Sequence, residues 1–333
     1  MDAYYRPLAG HRGPRLAGGW CRIAGAERLT RDGGAEVVPL GRVPVEWRAA
    51  WTAPRRPFAG LDLGRPSLMG VLNLTPDSFT DGGRWQGEGA LAQARAMLES
   101  GAAVIDVGGE STRPGAREVP VDEEIERILP SIQALAAGGA VISVDTRKAG
   151  VARAALAAGA RIVNDVSGLD FDPEMAALVA GTGAGLVIMH SGGRPETMQD
   201  DPRYDDVVLD VFDALAERVL RAEEAGVKRS RIMLDPGIGF GKTTAHNLAL
   251  LRRLSILHGL GCGILLGVSR KRFIGEIGGG LPTDAREPGT QALTLAAITQ
   301  GVQMHRIHDV AGAAQALALW QAAHGPENGK EQA

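Results

Sequence analysis

Carboxylates, amides and basic side chains recur in this chain directly after short apolar runs. The sequence holds eight such runs, and each passes abruptly into a polar cluster. The side chains at these junctions that could do chemistry are Asn73, Asp145, Asn164, Met189, Asp235, Ser269, Lys271, Arg306 and His308. Carboxylates and amides accept hydrogen bonds from an N–H-rich ring edge, whereas Arg and Lys bind phosphate. The set contains no obvious nucleophile with its base, which suits an enzyme whose nucleophile belongs to a substrate.

The elements that must position these side chains follow from the same repeat. Eight β-type runs alternate with helix-like stretches, which predicts an α/β fold, a (β/α)8 TIM barrel. The runs are almost continuously apolar, as is typical of parallel strands buried on both faces. Because catalytic residues of such barrels lie at the C-terminal ends of the strands, we expect the junction side chains to form one pocket.

The chain divides into three parts by composition. Residues 1–65 form an N-terminal extension of mixed or β character, residues 66–324 form the barrel, and residues 325–333 form a disordered tail. Within the extension, Trp20–Ile23 and Ala35–Val38 flank a turn-rich segment, which predicts a β-hairpin. The extension lies outside a barrel of typical size, and one hypothesis is that it covers the bottom of the barrel.

Composition excludes several classes of protein. With Lys+Arg at 36 and Asp+Glu at 39, the net charge of −3 argues against a nucleic-acid or anionic-membrane surface. Cys21 and Cys262 lie far apart, so neither a disulfide framework nor a zinc site is indicated. No apolar run reaches the roughly 18 residues that a membrane span needs. We therefore expect a cytoplasmic protein without a nucleic-acid or membrane partner.

Asp145 ends the apolar run Ile142-Ser143-Val144-Asp145. The two-residue period of a strand puts Asp145 on the face that points into the barrel mouth. A carboxylate is costly to bury there unless it is paired. Asp145 is therefore either a capping or salt-bridged residue or an anion that stabilises a cation developing on a substrate, and its place at the mouth favours the second interpretation.

The segment Asp235–Thr243 superficially resembles a phosphate-binding loop. It fails the motif, because Pro236 stands where the first glycine is required. Asp235 is instead expected to accept two hydrogen bonds from a guanidine-like ring edge, and Asn164 to read the other edge. His190, at the end of the fifth run, is either a general base or a packed residue, and packing is favoured because no partner for a base can be named.

A cationic quadrant is predicted near the last two strands. Arg306 and His308 lie two residues apart, so both face the mouth, where such a pair suits a phosphate or diphosphate. Ser269 and Lys271 follow the seventh run and add donors to the same quadrant. Asn73 offers a neutral oxygen for Mg²⁺, a metal that also uses substrate phosphates and water as ligands.

From Leu68 to Ala322 the chain resembles the dihydropteroate synthase family of pterin-binding enzymes. The resemblance is carried by MGVLNLTPDSFTDGG and GGESTRPGA, which are followed in the family's order by VDTRK, IVNDVSG, LDPGIGFGK, GVSRKRFIG and RIHDV. It implies that p-aminobenzoate attacks the exocyclic methylene of 6-hydroxymethyl-7,8-dihydropterin diphosphate, giving 7,8-dihydropteroate and diphosphate with Mg²⁺ as cofactor. It also implies a homodimer and a target of sulfonamides.

Residue roles carried over from the resemblance form overlapping groups. The pterin would contact Asp145, Asn164, Met189, Asp235, Gly267 and Lys271. The diphosphate would contact Asn73, Thr112, Arg306 and His308, with Asn73 also holding the metal. The p-aminobenzoate side would be shaped by Thr112, Arg113, Pro114, Phe240 and Ser269. Catalysis itself would rest on Asp145, Lys271, Thr112 and Arg113.

Two alternatives stay open from the residues alone. One is a non-catalytic paralogue that binds pterin without turnover, because fold does not fix function. The other is a methyltetrahydrofolate:corrinoid methyltransferase, which would have no use for the ESTRPG, SRK and RIHDV segments. One departure from the family is Ser191, which stands where the family commonly has Met, so the loop after the fifth strand is expected to differ.

Overall fold

A computed structural model describes residues 3–75, 86–111, 118–192 and 202–324 of the chain. Three predicted site residues, Thr112, Arg113 and Pro114, lie outside these ranges, as does the tail 325–333 that was predicted to be disordered. Within the described residues, no helix is both long and apolar enough to cross a membrane.

Eight parallel strands close into a barrel, as the sequence predicts. They are β4 (Ser67–Asn73), β5 (Ala102–Gly108), β6 (Ile142–Asp145), β7 (Ile162–Asp165), β8 (Gly185–Met189), β9 (Ile232–Asp235), β10 (Gly263–Leu266) and β11 (Met304–Ile307). They neighbour one another in sequence order, and β11 pairs with β4 to close the ring.

Helices separate the strands and cover the outside of the barrel. They are α2 (Gln86–Glu99), α3 (Val121–Ala137), α4 (Ala149–Ala157), α5 (Met175–Thr182), α6 (Val207–Glu224), α7 (Thr244–Arg252), α8 (Arg272–Ile277), α9 (Glu287–Ile298) and α10 (Val310–His324). A 3₁₀ helix, Leu254–Leu260, leads into β10. The end of each strand is thus followed by a loop at one common face.

The barrel interior is a packed apolar layer rather than a pore. Inward side chains from alternate positions of the strands form this layer: Met69, Val104, Ile162, Val187, Met233, Leu265 and Met304. Phe58 and Leu63, which precede β4, pack against the layer from below. Because a Cβ on Gly185 would lie 2.8 Å from the Phe58 ring, this glycine leaves room for the residue that closes the barrel bottom.

The described part of the N-terminal extension contains a three-stranded antiparallel sheet, a short 3₁₀ helix (Leu40–Arg42) and one α-helix. The sheet consists of β1 (Tyr4–Arg15), β2 (Arg22–Leu29) and β3 (Ala35–Val38), and the helix is α1 (Val45–Thr52). The predicted hairpin corresponds to β2 and β3, although β2 begins at Arg22 and runs further than expected. Strand β1 was not predicted, because Pro7, Gly10 and Gly13 interrupt its pattern.

The sheet lies against the outer helices and also against loops at the barrel bottom, where β1 contacts the 3₁₀ helix Leu254–Leu260 and Trp20 Nε1 donates to Ile298 O at 2.9 Å. Tyr4 meets Phe212 of α6 edge to face, and Trp47 of α1 stacks on the same ring. Arg31 forms ion pairs with Asp210 (2.7 Å) and Asp213 (2.5 Å) of α6. The extension therefore packs along the flank of the barrel and also contacts the barrel bottom, which is the position that the hypothesis of a bottom cover gives it.

Candidate active site

Strand register brings the predicted mouth residues into one row. Asn73 on β4 is level with Gly108 on β5, and Gly108 is level with Asp145 on β6. Asp145 in turn is level with Asn164 on β7. A Cβ on Gly108 would lie 3.7 Å from both Asn73 Oδ1 and Asp145 Oδ2, so the absence of a side chain there keeps this part of the mouth open.

Arg306 joins two buried carboxylates across the barrel. Its Nε donates to Asp106 Oδ2 at 2.6 Å, and its Nη2 donates to Asp145 Oδ2 at 2.7 Å. Asn164 Nδ2 donates to the same Asp106 oxygen at 3.1 Å. Burial lowers the pKa of Arg306, but the two carboxylates outweigh it and hold the pKa above the ordinary value. The guanidinium is therefore a permanent cation, and its Nη1 is not engaged by these carboxylates.

Two acceptor oxygens in this cluster have no partner. Asp106 Oδ1 and Asp145 Oδ1 are buried without a hydrogen bond among the described residues. Buried polar atoms are normally satisfied, and an unsatisfied one costs about 1–3 kcal/mol. Burial raises the pKa of Asp145, with Arg306 opposing and nearby Asp106 adding to the rise. Asp145 is thus placed to accept a hydrogen bond from a ligand or to stabilise a positive charge on it.

Asp235 forms the opposite wall of the mouth together with Met189, which is level with it on β8. Its Oδ1 accepts the backbone N–H of Gly237 at 2.7 Å, while a Cβ on Gly267 would lie 3.5 Å from its Oδ2. Burial raises the pKa of Asp235, and the Gly237 N–H and Lys271 oppose that rise. Because Gly267, directly after β10, has no side chain, the Asp235 carboxylate stays accessible to a flat ligand.

Lys271 lies over the ring of Phe240. Its Nζ is 4.1 Å from the ring centroid, within the range of a cation–π contact. Burial lowers the pKa of Lys271 to about 8, with Asp235 opposing the change. The contact connects the loop after β10 with the loop after β9, so these two predicted residues form one corner of the pocket.

Ser269 and His308 form a second contact between neighbouring loops. Ser269 Oγ lies 2.8 Å from His308 Nδ1 and accepts the backbone N–H of His308 at 3.1 Å. This arrangement directs the His308 ring by a fixed hydrogen bond. The two residues lie beside Arg306 in the predicted cationic quadrant.

His190 is packed rather than poised as a base. It is 7% exposed, and its Nδ1 lies 2.9 Å from Lys242 Nζ. Burial, together with the nearby charges of Lys242 and Arg218, lowers the pKa of His190 to about 2. A neutral ring whose Nδ1 accepts from an ammonium has no free basic nitrogen at that position.

The base of the loop after β5 is held by a buried ionic network. Glu110 Oε1 accepts the backbone N–H of Val119 at 2.9 Å and a hydrogen bond from Lys148 Nζ at 3.1 Å. Lys148 also pairs with Glu124 at 2.7 Å, and Arg147 pairs with Glu110 at 3.2 Å. The network joins residue 110 to residue 119, the two sides of the loop in which Thr112 and Arg113 stand.

The donor set fits a metal that brings ligands with its substrate. Among the described residues, no group of three or more His, Cys, Asp or Glu side chains converges to hold an ion. Asn73 does present an amide oxygen at the mouth, 3.7 Å from the Cβ position of Gly108. Mg²⁺ commonly takes one or two protein ligands together with substrate phosphates and water, and an amide oxygen at the mouth agrees with a site of that kind.

The structure therefore brings together every predicted site residue that it describes. Sequence reasoning missed two contributors, Lys242 and the bridging role of Asp106. Asp106 was predictable as an inward residue from its alternation with Val104, but its partners were not. Lys242 lies in the segment that superficially resembles a phosphate-binding loop, and nothing local in the sequence connects it with His190.

Comparison with known proteins identifies a single family. The pterin binding enzyme family matches residues 69–308. A dihydropteroate synthase from Escherichia coli is 43% identical over 264 residues, covering 79% of this chain and 93% of that protein. A probable bifunctional folylpolyglutamate synthase/dihydropteroate synthase from Haloferax volcanii is 50% identical over 250 residues, but this chain spans only 29% of its length.

Solved structures agree with the sequence comparisons. A Xanthomonas albilineans dihydropteroate synthase with 4-aminobenzoic acid has a TM-score of 0.76 and 46% identity, covering 81% of this chain and 97% of that one. The same enzyme in complex with 7,8-dihydropteroate has a TM-score of 0.73 and 43% identity, covering 80% and 97% of the two chains. The N-terminal sheet precedes the residues that the family match covers.

Proposed function

Because the chain belongs to the pterin binding enzyme family, we propose that it catalyses the dihydropteroate synthase reaction. The substrates are 6-hydroxymethyl-7,8-dihydropterin diphosphate and p-aminobenzoate. The bond between the exocyclic methylene carbon and the diphosphate oxygen breaks, and the oxygen keeps the electron pair. The p-aminobenzoate nitrogen bonds to that carbon and loses a proton, giving 7,8-dihydropteroate and diphosphate.

One observation carries this proposal beyond the family match. The mouth holds a buried acceptor, Asp145 Oδ1, with no partner among the described residues, and it lies level with Asn164. An amino-pteridine ring has an N–H-rich edge that would satisfy such acceptors. Asp235 on the facing wall would accept from the guanidine-like end of the ring, with Met189, Gly267 and Lys271 completing the slot.

The charges of the mouth favour a cationic pterin. Among the residues that the structure describes, three carboxylates, Asp106, Asp145 and Asp235, face two cations, Arg306 and Lys271, which leaves one net negative charge when all five groups are ionised. As diphosphate departs, positive charge develops on the pterin methylene. Asp145 would stabilise that charge electrostatically, from a position that is already fixed by Arg306.

The diphosphate would leave toward the cationic quadrant. Nη1 of Arg306 takes no part in the two bonds to carboxylates, and the orientation of the His308 ring is fixed by its contact with Ser269. Asn73 would hold Mg²⁺, which supplies neutralisation of the leaving diphosphate when it is bound. We extend the proposal to Thr112 for the diphosphate, and to Thr112, Arg113, Pro114, Phe240 and Ser269 for p-aminobenzoate, on the resemblance of their motifs.

Product formation by the purified chain tests the proposal. Given the pterin diphosphate, p-aminobenzoate and Mg²⁺, the protein should release dihydropteroate and diphosphate in equal amounts, and omission of any component should stop both. Binding of the pterin diphosphate without product would instead support a non-catalytic paralogue. The similarity of the chain to dihydropteroate synthases argues against the alternative of a methyltransferase.

Three further expectations belong to the same proposal. We propose that the chain acts as a homodimer, which light scattering after size-exclusion chromatography would measure. We propose a cytoplasmic location, with which the two unpaired cysteines agree. A Yersinia pestis dihydropteroate synthase with a TM-score of 0.75 and 42% identity was solved as a sulfonamide drug complex. A sulfonamide should accordingly inhibit this chain in competition with p-aminobenzoate.

A further inference from the structure

Lys242 is a buried lysine that has no ion-pair partner among the described residues. It is 4% exposed, and its Nζ is surrounded by neutral acceptors. These are His190 Nδ1 at 2.9 Å, Phe240 O at 2.9 Å, Gly237 O at 3.0 Å and His190 O at 3.3 Å. Removing an ammonium group from water at such a position is costly. We therefore expect its hydrogen bonds to have a specific structural role.

The contacts of Lys242 join two different segments of the barrel top. Two of them go to His190, directly after β8, and two go to the turn of residues 237–241, directly after β9. The turn approaches His190 so closely that a Cβ on Gly237, whose φ is +66°, would lie 1.8 Å from His190 O. Lys242 therefore holds the turn against the end of the neighbouring strand, across a contact that only glycine permits.

The fastened turn carries side chains of the proposed site. Phe240 lies beneath Lys271 Nζ, and a Cβ on Gly239 would lie 3.2 Å from the Lys271 side chain. The turn also begins at Gly237, whose N–H bonds Asp235. A second tether is Tyr204, whose hydroxyl donates to Gly241 O at 2.8 Å. Displacement of the turn would therefore shift both the pterin wall and the p-aminobenzoate side.

We propose that Lys242 is a positioning residue, which fixes the turn of residues 237–241 to the end of β8 and so holds Phe240, Lys271 and Asp235 in their binding arrangement. This inference rests on the proposed function for its effect on substrates. It assigns Lys242 no contact with the reacting atoms. Loss of Lys242 should hence weaken substrate binding more than it slows the catalytic step, because Asp145, which faces the developing cation, is held by Arg306 and not by the turn.

Hydrogen exchange of the full chain tests the positioning directly. Lys242→Met keeps the length of the side chain but removes its donors, and Lys228→Met, at an exposed lysine far from the mouth, is the control. In Lys242→Met the backbone N–H groups of residues 237–240 should exchange about tenfold faster, because the turn opens more often. They should exchange at the wild-type rate in Lys228→Met. Unchanged exchange in Lys242→Met would overturn the proposal.

Steady-state kinetics separate positioning from general destabilisation. Lys242→Met should raise both substrate KM values about tenfold while kcat stays within about threefold of wild type, since the lost interactions act on binding. A general loss of folded enzyme would lower kcat with KM unchanged, and that result would overturn the proposal.

A milder variant covers the case in which Lys242→Met does not fold. Lys242→Gln keeps a polar side chain that fills part of the site but is too short to make all four contacts of Lys242, and it should change exchange and KM in the same directions by about threefold. No change in exchange in that variant would count against the proposal. If the wild-type chain forms no dihydropteroate, the proposed function fails, whereas the exchange measurement still decides whether Lys242 fastens the turn.

Discussion

Replacing Asp145 by Asn should slow turnover far more than it weakens binding of the pterin diphosphate. Asn keeps the size of the side chain and an acceptor oxygen at the position that is level with Asn164. It removes the negative charge that faces the developing cation. It also leaves Arg306 with Asp106 as its only carboxylate partner among the described residues. The net charge of the five described groups of the mouth changes from −1 to 0.

The size of the effect follows from this loss of charge. Two unit charges about 4 Å apart interact with about 4 kcal/mol at an effective dielectric constant of about 20. Because Arg306 lies 2.7 Å from Asp145 Oδ2, it offsets part of that stabilisation. We expect a net loss of about 3 kcal/mol from the transition state, which corresponds to a decrease in kcat of about 100-fold.

The assay compares kcat and the dissociation constant of the pterin diphosphate in the two proteins. The constant should rise less than about fivefold, since the ground state carries little positive charge at the methylene. The wild-type rate should also fall as the pH is lowered through the raised pKa of Asp145, because protonation removes the charge, and this acid limb should disappear in Asp145→Asn. Unchanged kcat, or an equal loss in kcat and affinity, would refute the role.

Three other substitutions test the supporting structure. Gly237→Ala should destabilise the protein by about 3 kcal/mol and weaken pterin binding, since its Cβ would lie 1.8 Å from His190 O; a normal urea midpoint would contradict this. Glu110→Gln should lower stability by about 2 kcal/mol at neutral pH by weakening the bonds from Lys148. Burial raises the pKa of Glu110, but Val119 N–H, Arg147 and Lys148 outweigh burial, so the pKa is lowered overall. The stability difference between wild type and Glu110→Gln should therefore shrink as the pH falls below about 4 and the wild-type carboxylate is protonated. Trp47→Ala should lower the free energy of unfolding, measured by thermal unfolding, by about 3 kcal/mol, because the Trp47 ring stacks on Phe212 and holds the extension to the barrel. Val37→Ala, at an exposed residue, is the control, and a smaller loss of stability in Trp47→Ala than in this control would contradict that role.

The barrel and the order of its strands were predictable because the evidence for them is local. Each apolar run reports a buried strand, and the two-residue period puts Asp145 and Arg306 on the inner face without knowledge of any partner. Once parallel strands close into a barrel, their C-terminal ends must meet. Side chains separated by more than 150 positions, such as Asp145 and Arg306, then become neighbours.

The remaining features depend on contacts that a local pattern does not encode. Strand β1 contains Pro7 and Gly10, residues that disfavour strands, and it forms because β2 and the 3₁₀ helix Leu254–Leu260 pack against it. Lys242 contacts His190 only because the turn after β9 has a left-handed φ at Gly237 and folds back on β8. The charge balance of the mouth likewise requires the distances between side chains, which residue types alone do not give.

The measurement that tests the central claim most directly is positional isotope exchange in the pterin diphosphate. The claim is that the mouth stabilises a pterin cation formed as diphosphate leaves. With ¹⁸O in the bridging oxygen, Mg²⁺ and no p-aminobenzoate, the wild-type enzyme should move label into the non-bridging positions of the bound diphosphate, and Asp145→Asn should do so much more slowly. If label stays in the bridge while dihydropteroate forms at a normal rate once p-aminobenzoate is added, departure does not precede attack and the account is contradicted.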